Sequence, residues 1–133
     1  MPFAFDFDWK HRILRARLGG QVTDEELREF YPAGFKIAFR TQPLAGVIDT
    51  REVTLFRVLP ETVRLLAKSA PMIPDPKIVR VAIAPKTEVY GMLRMFELHG
   101  EATRPNFHVV RTEKEAWAIL GIRDPRFDPL GSD

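Results

Sequence analysis

The sequence predicts a single α/β domain, in which an opening β-hairpin leads into a mostly parallel sheet of about five strands flanked by about four helices. The chain has 133 residues and 45% hydrophobic content, which is enough for one sizeable core. Its first strands alternate with a period of two, and apolar strands alternate with helical patterns from residue 77 onward. Such alternation is typical of a parallel sheet covered by helices.

The first two strands are predicted to form the hairpin. Phe3, Phe5 and Phe7 alternate with residues that suit the opposite face of a strand, and residues 12–18 alternate again after a turn. Gly19 and the glycine after it are expected to end the second strand.

Charges on the hairpin are expected to balance. Asp6 and Asp8 can neutralise arginines of the second strand across the ladder, namely Arg12, Arg15 and Arg17. The first strand would lie at a sheet edge, which could recruit another subunit unless its aspartates discourage pairing. A homodimer is therefore left open.

Two capping boxes predict helix starts. In 23–26 and again in 112–115, a threonine can accept from the amide three residues on, while a glutamate reaches back to the threonine amide. Pro32 lies inside the first of these helices and predicts a kink or restart, because proline lacks the amide and crowds the preceding turn.

The middle of the chain predicts one strand and one helix. Residues 43–48 are apolar on every side and end at Asp49, which favours a buried parallel strand, and residues 50–59 are interpreted as a connection. An amphipathic helix follows from Pro60 to Ala70. The proline-rich segment 71–76 is expected to be a structured loop within the same domain.

The run 77–122 predicts two strand-helix units. Strands are expected at 78–84 and 106–110, and Gly91 inside the first of the two helices predicts a close approach of a backbone or a ligand. The last helix is expected to direct Ala116, Ile119 and Leu120 toward the core. We expect the domain to span 1–122 and an irregular tail to span 123–133.

Composition argues against several functions. The net charge of +2 is small although the pI is near 9.1, so nucleic acid is not the default partner. The chain has no cysteine and its three histidines are far apart, which argues against a metal site. We expect no cofactor and no enzymatic activity, because no nucleophile or carboxylate is placed to make a histidine a catalytic base.

Targeting signals are also missing from the pattern. The first eight residues carry acids within their apolar run, unlike a signal peptide, and no stretch approaches the roughly 20 apolar residues of a membrane span. We therefore expect a cytoplasmic protein by elimination.

The strongest site hypothesis lies at the carboxyl edge of the predicted sheet, where helix starts present unpaired amides. Three cations beside these starts could hold a phosphate, a carboxylate or a lipid head group. The candidate ligand-binding residues are Asp49, Thr50, Arg51, Lys86, Thr87, Arg111 and Thr112. The competing interpretation is that they are ordinary caps and solvated charges.

A second hypothesis concerns an apolar ligand. Met72, Met92 and Met95 with Phe96 could line a pocket between the sheet and helix 89–96, with Arg51 or Lys86 tethering an anionic head. The competing interpretation is that these side chains fill gaps in the core, as methionine at helical spacing usually does.

These residues resemble a known family. Val81-Ala-Ile-Ala-Pro85, the helix 89–96, Val109-Val-Arg-Thr112 and the segment 115–121 are similar to the second half of SpoIIAA-like, STAS-type bacterial domains. The turn 8–12, Gly20, Thr23 and the strand ending in Asp49 are similar too, so the resemblance spans nearly the whole domain.

The resemblance implies a SpoIIAA-like β/α superhelix and a non-enzymatic binding or regulatory role, through a protein partner or a small anionic or lipid ligand. Some members are switched by phosphorylation of a serine at the start of the helix after the third strand. Aligning Asp49 places that serine near Val58, which has no hydroxyl, and Thr50, Thr54 and Thr62 do not fit the position. The resemblance therefore implies a relative without the phosphoswitch.

Overall fold

The computed structural model describes residues 3–131, so the first two residues of the predicted domain and the last two of the predicted tail lie outside it. Ten elements follow one another in this range: β1 (Phe3–Asp8), β2 (Ile13–Thr23), α1 (Asp24–Thr41), β3 (Ala45–Arg57), α2 (Pro60–Lys68), β4 (Val79–Ile83), α3 (Thr87–His99), β5 (Phe107–Val110), α4 (Glu113–Leu120) and β6 (Asp128–Pro129).

The strands form one sheet in the order β5-β4-β3-β2-β1-β6. β1 is antiparallel to β2 and to β6, whereas β2, β3, β4 and β5 run parallel to one another. The predicted α/β class is confirmed, with its opening hairpin, its mostly parallel sheet and its four helices.

The two faces of the sheet are covered unequally. One face packs against α1, α2 and α3 around a large core, in which the ring of Phe30 stacks on Phe5 with centroids 5.6 Å apart. The other face packs against α4 and the segment that follows it, through a smaller core around Val81, Ile83 and Ala116. Much of the second face is therefore left to charged side chains.

Helix boundaries follow the capping residues. Both capping boxes are present, at Thr23 and at Thr112.

The helix does not restart at Pro32, where the sequence predicts a kink or a restart, because α1 continues through this residue to Thr41. Leu27, before Pro32, and Ile37, after it, are both buried, so packing on either side outweighs the one missing amide.

α4 is less buried than its pattern predicts. Ala116 is fully buried, but Ile119 is exposed and Leu120 only partly buried. The helix has only eight residues and touches the sheet along a narrow line, so the prediction that Ile119 faces the core is wrong.

Two strands are longer than the sequence predicts. β2 continues through Gly19 to Thr23, and β3 continues through Arg57, so the predicted connection at 50–59 is wrong. The parallel ladder between them absorbs the extra residues of β3 in two register shifts, one of which leaves residues 50 and 51 opposite Leu18. Beyond Asp49, β3 pairs with β2 alone.

The segment after α4 is not wholly irregular, in contrast to the prediction for the tail. Asp128 pairs with Phe7, and the Leu130 amide donates to the Phe5 carbonyl at 3.0 Å. The Arg126 amide donates to the Asp8 carboxylate at 3.0 Å. β1 is therefore not the outermost strand, because β6 covers part of its outer side.

The proline-rich segment 71–76 is a structured loop, as predicted. The Arg80 guanidinium donates to the backbone carbonyls of Ile73, Asp75, Pro76 and Ile78. Met72 lies where a side chain at Gly34 would be, since a Cβ there would stand 2.1 Å from the methionine sulfur. Glycine in α1 thus lets the loop approach closely.

Gly91 has no such neighbour. A Cβ added there meets nothing within 4 Å, and the residue is exposed. The predicted close approach at Gly91 is wrong, and the crowded helical glycine is Gly34.

The two helical glycines give a matched test. Gly91→Ala should raise the free energy of unfolding by about 0.5–1 kcal/mol, because alanine has the lower entropic cost in a helix. Gly34→Ala gains the same propensity but must displace the flexible end of the Met72 side chain, which costs about 0.5–1.5 kcal/mol if the methionine is forced off its rotamer. Urea denaturation should therefore find Gly34→Ala less stable than Gly91→Ala, and equal stabilisation in both would contradict the close contact.

Candidate functional site

Asp49, Thr50 and Arg51 lie within β3, not after its end, beside the residue where β4 stops. Their side chains alternate between the two faces of the sheet. Thr50 is 2% exposed and donates its hydroxyl hydrogen to the Ile83 carbonyl at 2.7 Å. Thr50 is therefore engaged in a backbone contact and is buried away from its two neighbours.

Asp49 and Arg51 form an ion pair on the face that carries α4. Arg51 Nη2 donates to Asp49 Oδ2 at 2.7 Å, and Arg51 Nη1 lies 2.8 Å from Glu113 Oε1 at the start of α4. Because two carboxylates already surround it, the Arg51 guanidinium is neutralised within the protein.

The ion pair shifts the pKa values of both Asp49 and Arg51. Burial raises the pKa of the Asp49 carboxyl, but the hydrogen bonds and charge of Arg51 outweigh it and hold that pKa below its ordinary value. The hydrogen bond to Asp49 in turn raises the pKa of Arg51. Both groups are charged at neutral pH.

The start of α3 brings together three of the predicted residues. Lys86 donates to the Val53 carbonyl, and Arg111 Nη1 lies 3.2 Å from the Pro85 carbonyl and 3.4 Å from the Thr87 hydroxyl. The Arg111 guanidinium also lies over the Tyr90 ring at 4.2 Å. Neither cation forms an ion pair with a carboxylate anywhere in residues 3–131.

Thr112 caps α4. Its hydroxyl accepts from the Glu115 amide at 3.2 Å and donates to the Glu115 carboxylate at 3.1 Å. The seven predicted residues thus occupy separate places: a buried threonine, a closed ion-pair cluster, the α3 start and a capping box. They do not line one common pocket.

Charges on the hairpin pair only partly as predicted, because Asp8 accepts from His11 and from the Arg126 amide and not from an arginine side chain. Asp6 accepts from both Arg15, at 2.8 Å, and Arg17, at 3.0 Å. Arg12 does not join them, because its guanidinium donates to the carbonyls of Thr41 and Gln42 at the end of α1.

A groove of about 360 Å³ lies on the same face of the sheet as these ion pairs. It is lined by Arg15, Arg17, Asp49, Arg51 and Glu52.

The apolar space beneath α3 is small. A cavity of about 50 Å³ lies between the sheet and α3, lined in part by Thr50, Met92, Leu93 and Phe96. Ligand pockets usually measure about 300–1,000 Å³. In this conformation the space does not accommodate an acyl chain, and the methionines pack against the core, as their competing interpretation expected.

The histidines lie apart from one another. His11 pairs with Asp8 at 3.1 Å, while His99 and His108 are exposed. His108 points outward from β5, which is an edge strand of the sheet. Among residues 3–131, no cluster of three metal-ligating side chains is found, and no helix is long and apolar enough to cross a membrane.

Sequence reasoning missed two buried arginines, Arg80 and Arg104. They are 5% and 4% exposed, and they lie at the amino end of the parallel strands, opposite the edge that was predicted to bind a ligand. A signal was available for Arg80, because arginine within the apolar strand 78–84 breaks an otherwise buried run. Arg104 has no comparable sequence signal.

Comparison with known proteins identifies the fold. The architecture is that of SpoIIAA-like, STAS-type domains. A solved structure of the anti-sigma factor antagonist SpoIIAA in its unphosphorylated form matches with a TM-score of 0.60 and 12% sequence identity, over 92% of this chain and 99% of that one. No protein-family model matches the chain, and no curated protein matches it in sequence.

The loss of protein stability at acid pH should report on the ion pair between Asp49 and Arg51. The pKa of the Asp49 carboxyl is lower in the folded protein than its value of 3.8 in the unfolded chain. The ion pair therefore contributes its full stability above pH 3.8, and this contribution is lost as the pH falls through the folded pKa. Asp49→Asn should cost about 1.5–3 kcal/mol at neutral pH and should flatten the stability profile below about pH 4. Denaturation from pH 2 to 7 measures both.

Glu52→Gln is the matched control, because Glu52 is exposed and its ion pair with Arg17 is long, at 3.9 Å. It should change stability by no more than about 0.5 kcal/mol. An Asp49→Asn profile parallel to that of the unmodified protein would contradict the lowered pKa.

Proposed function

We propose that the chain is a non-enzymatic regulatory module of STAS type that acts in the cytoplasm by binding a protein partner. The shared fold supports this proposal, because the matching solved structure is named as an antagonist of an anti-sigma factor and so acts on another protein. The observation that carries the proposal for this chain is an exposed apolar surface.

This surface, the α1-end patch, consists of Trp9, Phe35, Phe39 and Leu44. Phe35 and Phe39 lie one turn apart on α1, and Phe39 is 73% exposed. The Leu44 amide donates to the Arg12 carbonyl at 2.8 Å, which places Leu44 beside the turn that begins at Trp9. Phe35 and Phe39 thus expose two aromatic rings one turn apart on α1, and exposed aromatic side chains typically mark protein interfaces.

We infer further that the module works without a serine phosphoswitch. Val58, at the position that the resemblance assigns to the serine, is 7% exposed. The next residue, Leu59, is the N-cap of α2 and supplies no side-chain hydrogen bond to the helix. The Leu59 amide instead donates to the Asp24 carboxylate at 3.0 Å. A negative group of the protein itself thus already occupies this helix start.

A small anionic or lipid ligand at the carboxyl edge is the second candidate. The α3 start favours it, because Lys86 and Arg111 contact carbonyls there and Thr87 offers a hydroxyl. Asp49, Arg51 and Thr112 support it less, since their polar groups are already bonded to one another or to glutamates. The small cavity beneath α3 also favours the protein partner over a lipid.

Partner capture with two matched double variants tests the main proposal. Phe35→Ser/Phe39→Ser removes the centre of the α1-end patch, and Leu59→Ser/Leu65→Ser removes exposed leucines at α2. Cross-linking in source cells should recover one partner with the unmodified chain and with the α2 variant, and should lose it with the α1 variant.

Light scattering of the purified chain shows whether the α1-end patch binds a second copy of the chain or a different protein. A monomer is expected, because β6 covers part of the outer side of β1 and obstructs pairing there. Loss of the partner only in the α2 variant would overturn the α1-end patch, and a stable homodimer that depends on Phe39 would replace the proposed partner with a second copy.

Phosphopeptide mapping tests the inference about the switch. After incubation with ATP and an extract of source cells, residues 57–62 should carry no phosphate, because Thr62 is half-buried in the first turn of α2. Leu59→Ser, which places a hydroxyl at the helix start, is the comparison. Stoichiometric phosphorylation of Thr62 in the unmodified chain would contradict the inference.

A further inference from the structure

Two buried arginines, Arg80 and Arg104, face a cavity of about 50 Å³ at the amino end of the parallel strands. The cavity lies where β3, β4 and β5 begin, between the loop 71–76 and the ring of Phe96 on α3. Tyr31 of α1 also lines it.

The Arg80 guanidinium is satisfied by carbonyl dipoles alone. Nη1 lies 3.2 Å from the Ile78 carbonyl, and Nη2 donates to the carbonyls of Ile73 and Asp75, the latter at 2.7 Å. These bonds hold the loop 71–76 in place but bring no negative charge to the arginine.

Arg104 is only partly satisfied. Nη1 donates to the Ala67 carbonyl at the end of α2 at 2.8 Å, and the guanidinium lies 4.7 Å from the centre of the Phe96 ring. Nη2 is buried and has no acceptor within hydrogen-bond geometry in residues 3–131, although the guanidinium lies beside the Tyr31 hydroxyl and interacts with it. A buried guanidinium nitrogen without an acceptor costs free energy, so a bound acceptor would be favoured here.

The cavity therefore concentrates positive charge without an anion. Neither arginine lies within 4.0 Å of a carboxylate in the described residues. Burial, together with the neighbouring Arg104, lowers the pKa of Arg80 to about 10, so Arg80 remains charged at neutral pH. Burial also lowers the pKa of Arg104. Burial raises the pKa of Tyr31 and outweighs the charge of Arg104 and a hydrogen bond with it, so the hydroxyl stays protonated and able to donate.

We propose that this cavity binds one compact oxyanion, with Arg104 Nη2 and the Tyr31 hydroxyl as donors and Arg80 as the second positive charge. Its 50 Å³ hold a group of a few heavy atoms, since a water molecule needs about 10–15 Å³ by the same measure. Inorganic phosphate or the carboxylate of a small acid meets this limit, whereas a nucleotide or an acyl chain does not.

A purely structural role explains part of this arrangement. Arg80 is needed to hold the loop, and Arg104 Nη1 is needed at the end of α2. Neither role uses Arg104 Nη2 or explains why two like charges are buried together. An oxyanion accounts for both, and it would join the loop 71–76 to the end of α2 through one ligand.

Calorimetric titration tests the site directly. The unmodified protein is titrated with sodium phosphate and, separately, with sodium acetate, at constant ionic strength set with sodium chloride. One of the two should bind at a single site and raise the melting temperature by several degrees at saturation. The anion that binds shows whether the site prefers a phosphate or a carboxylate.

Three variants locate the binding. Arg104→Lys keeps the charge but loses the planar donor pair, and should weaken binding at least tenfold. Tyr31→Phe keeps the ring that lies 5.7 Å from Phe30, and should weaken binding about threefold to tenfold. Arg111→Gln, at the α3 start, should leave the affinity unchanged.

Two results would overturn the proposal: neither anion binds the unmodified protein saturably, or Arg104→Lys and Tyr31→Phe both bind as it does. Loss of binding in Arg111→Gln alone would move the site to the α3 start. If Arg104→Lys fails to fold by circular dichroism, Tyr31→Phe decides the outcome. None of these titrations depends on the protein partner, so the two proposals can fail independently.

Discussion

The parallel pairing of β2 with β3 is the constraint on which the rest of the structure depends. Each strand runs past the point where the sequence predicts its end, and the ladder accommodates the mismatch in two register shifts. The first shift falls at residues 50 and 51, beside the end of β4. Thr50 points toward α3 and Arg51 toward Glu113 by the ordinary alternation of a strand, whereas the shift leaves Arg51 and Glu52 beside the same groove.

The separation of Thr50 from Arg51 changes where unbalanced charge lies. At the carboxyl edge, Arg51 meets two carboxylates and Thr112 meets Glu115, so the helix starts are largely closed by the protein's own groups. At the amino end, two arginines are buried among carbonyls and an aromatic ring. The general preference of ligands for the carboxyl edge follows from free amides at helix starts. Here the two cations that are both buried and without a carboxylate partner lie at the other end, which is why the oxyanion is proposed there.

Much of the fold could be predicted because its signals are local. The capping boxes at Thr23 and Thr112 fix helix starts through contacts three residues apart, and the alternation of the first strands fixes the hairpin. The misses depend on distant residues. Whether β3 stops at Asp49 is decided by its pairing with β2, and whether Gly34 or Gly91 is crowded is decided by Met72. Of the predicted site, only Lys86, Thr87 and Arg111 lie together without an internal carboxylate.

The four carbonyl contacts of Arg80 also have a consequence for dynamics. Segment 71–76 contains three prolines and has little apolar burial beyond Met72 and Ile73, so by itself it would exchange its amides readily. Arg80 belongs to a central strand, and releasing the loop would leave a buried guanidinium without acceptors. Local opening of the loop is thereby tied to disruption of β4, which makes the two a single cooperative unit in native-state hydrogen exchange.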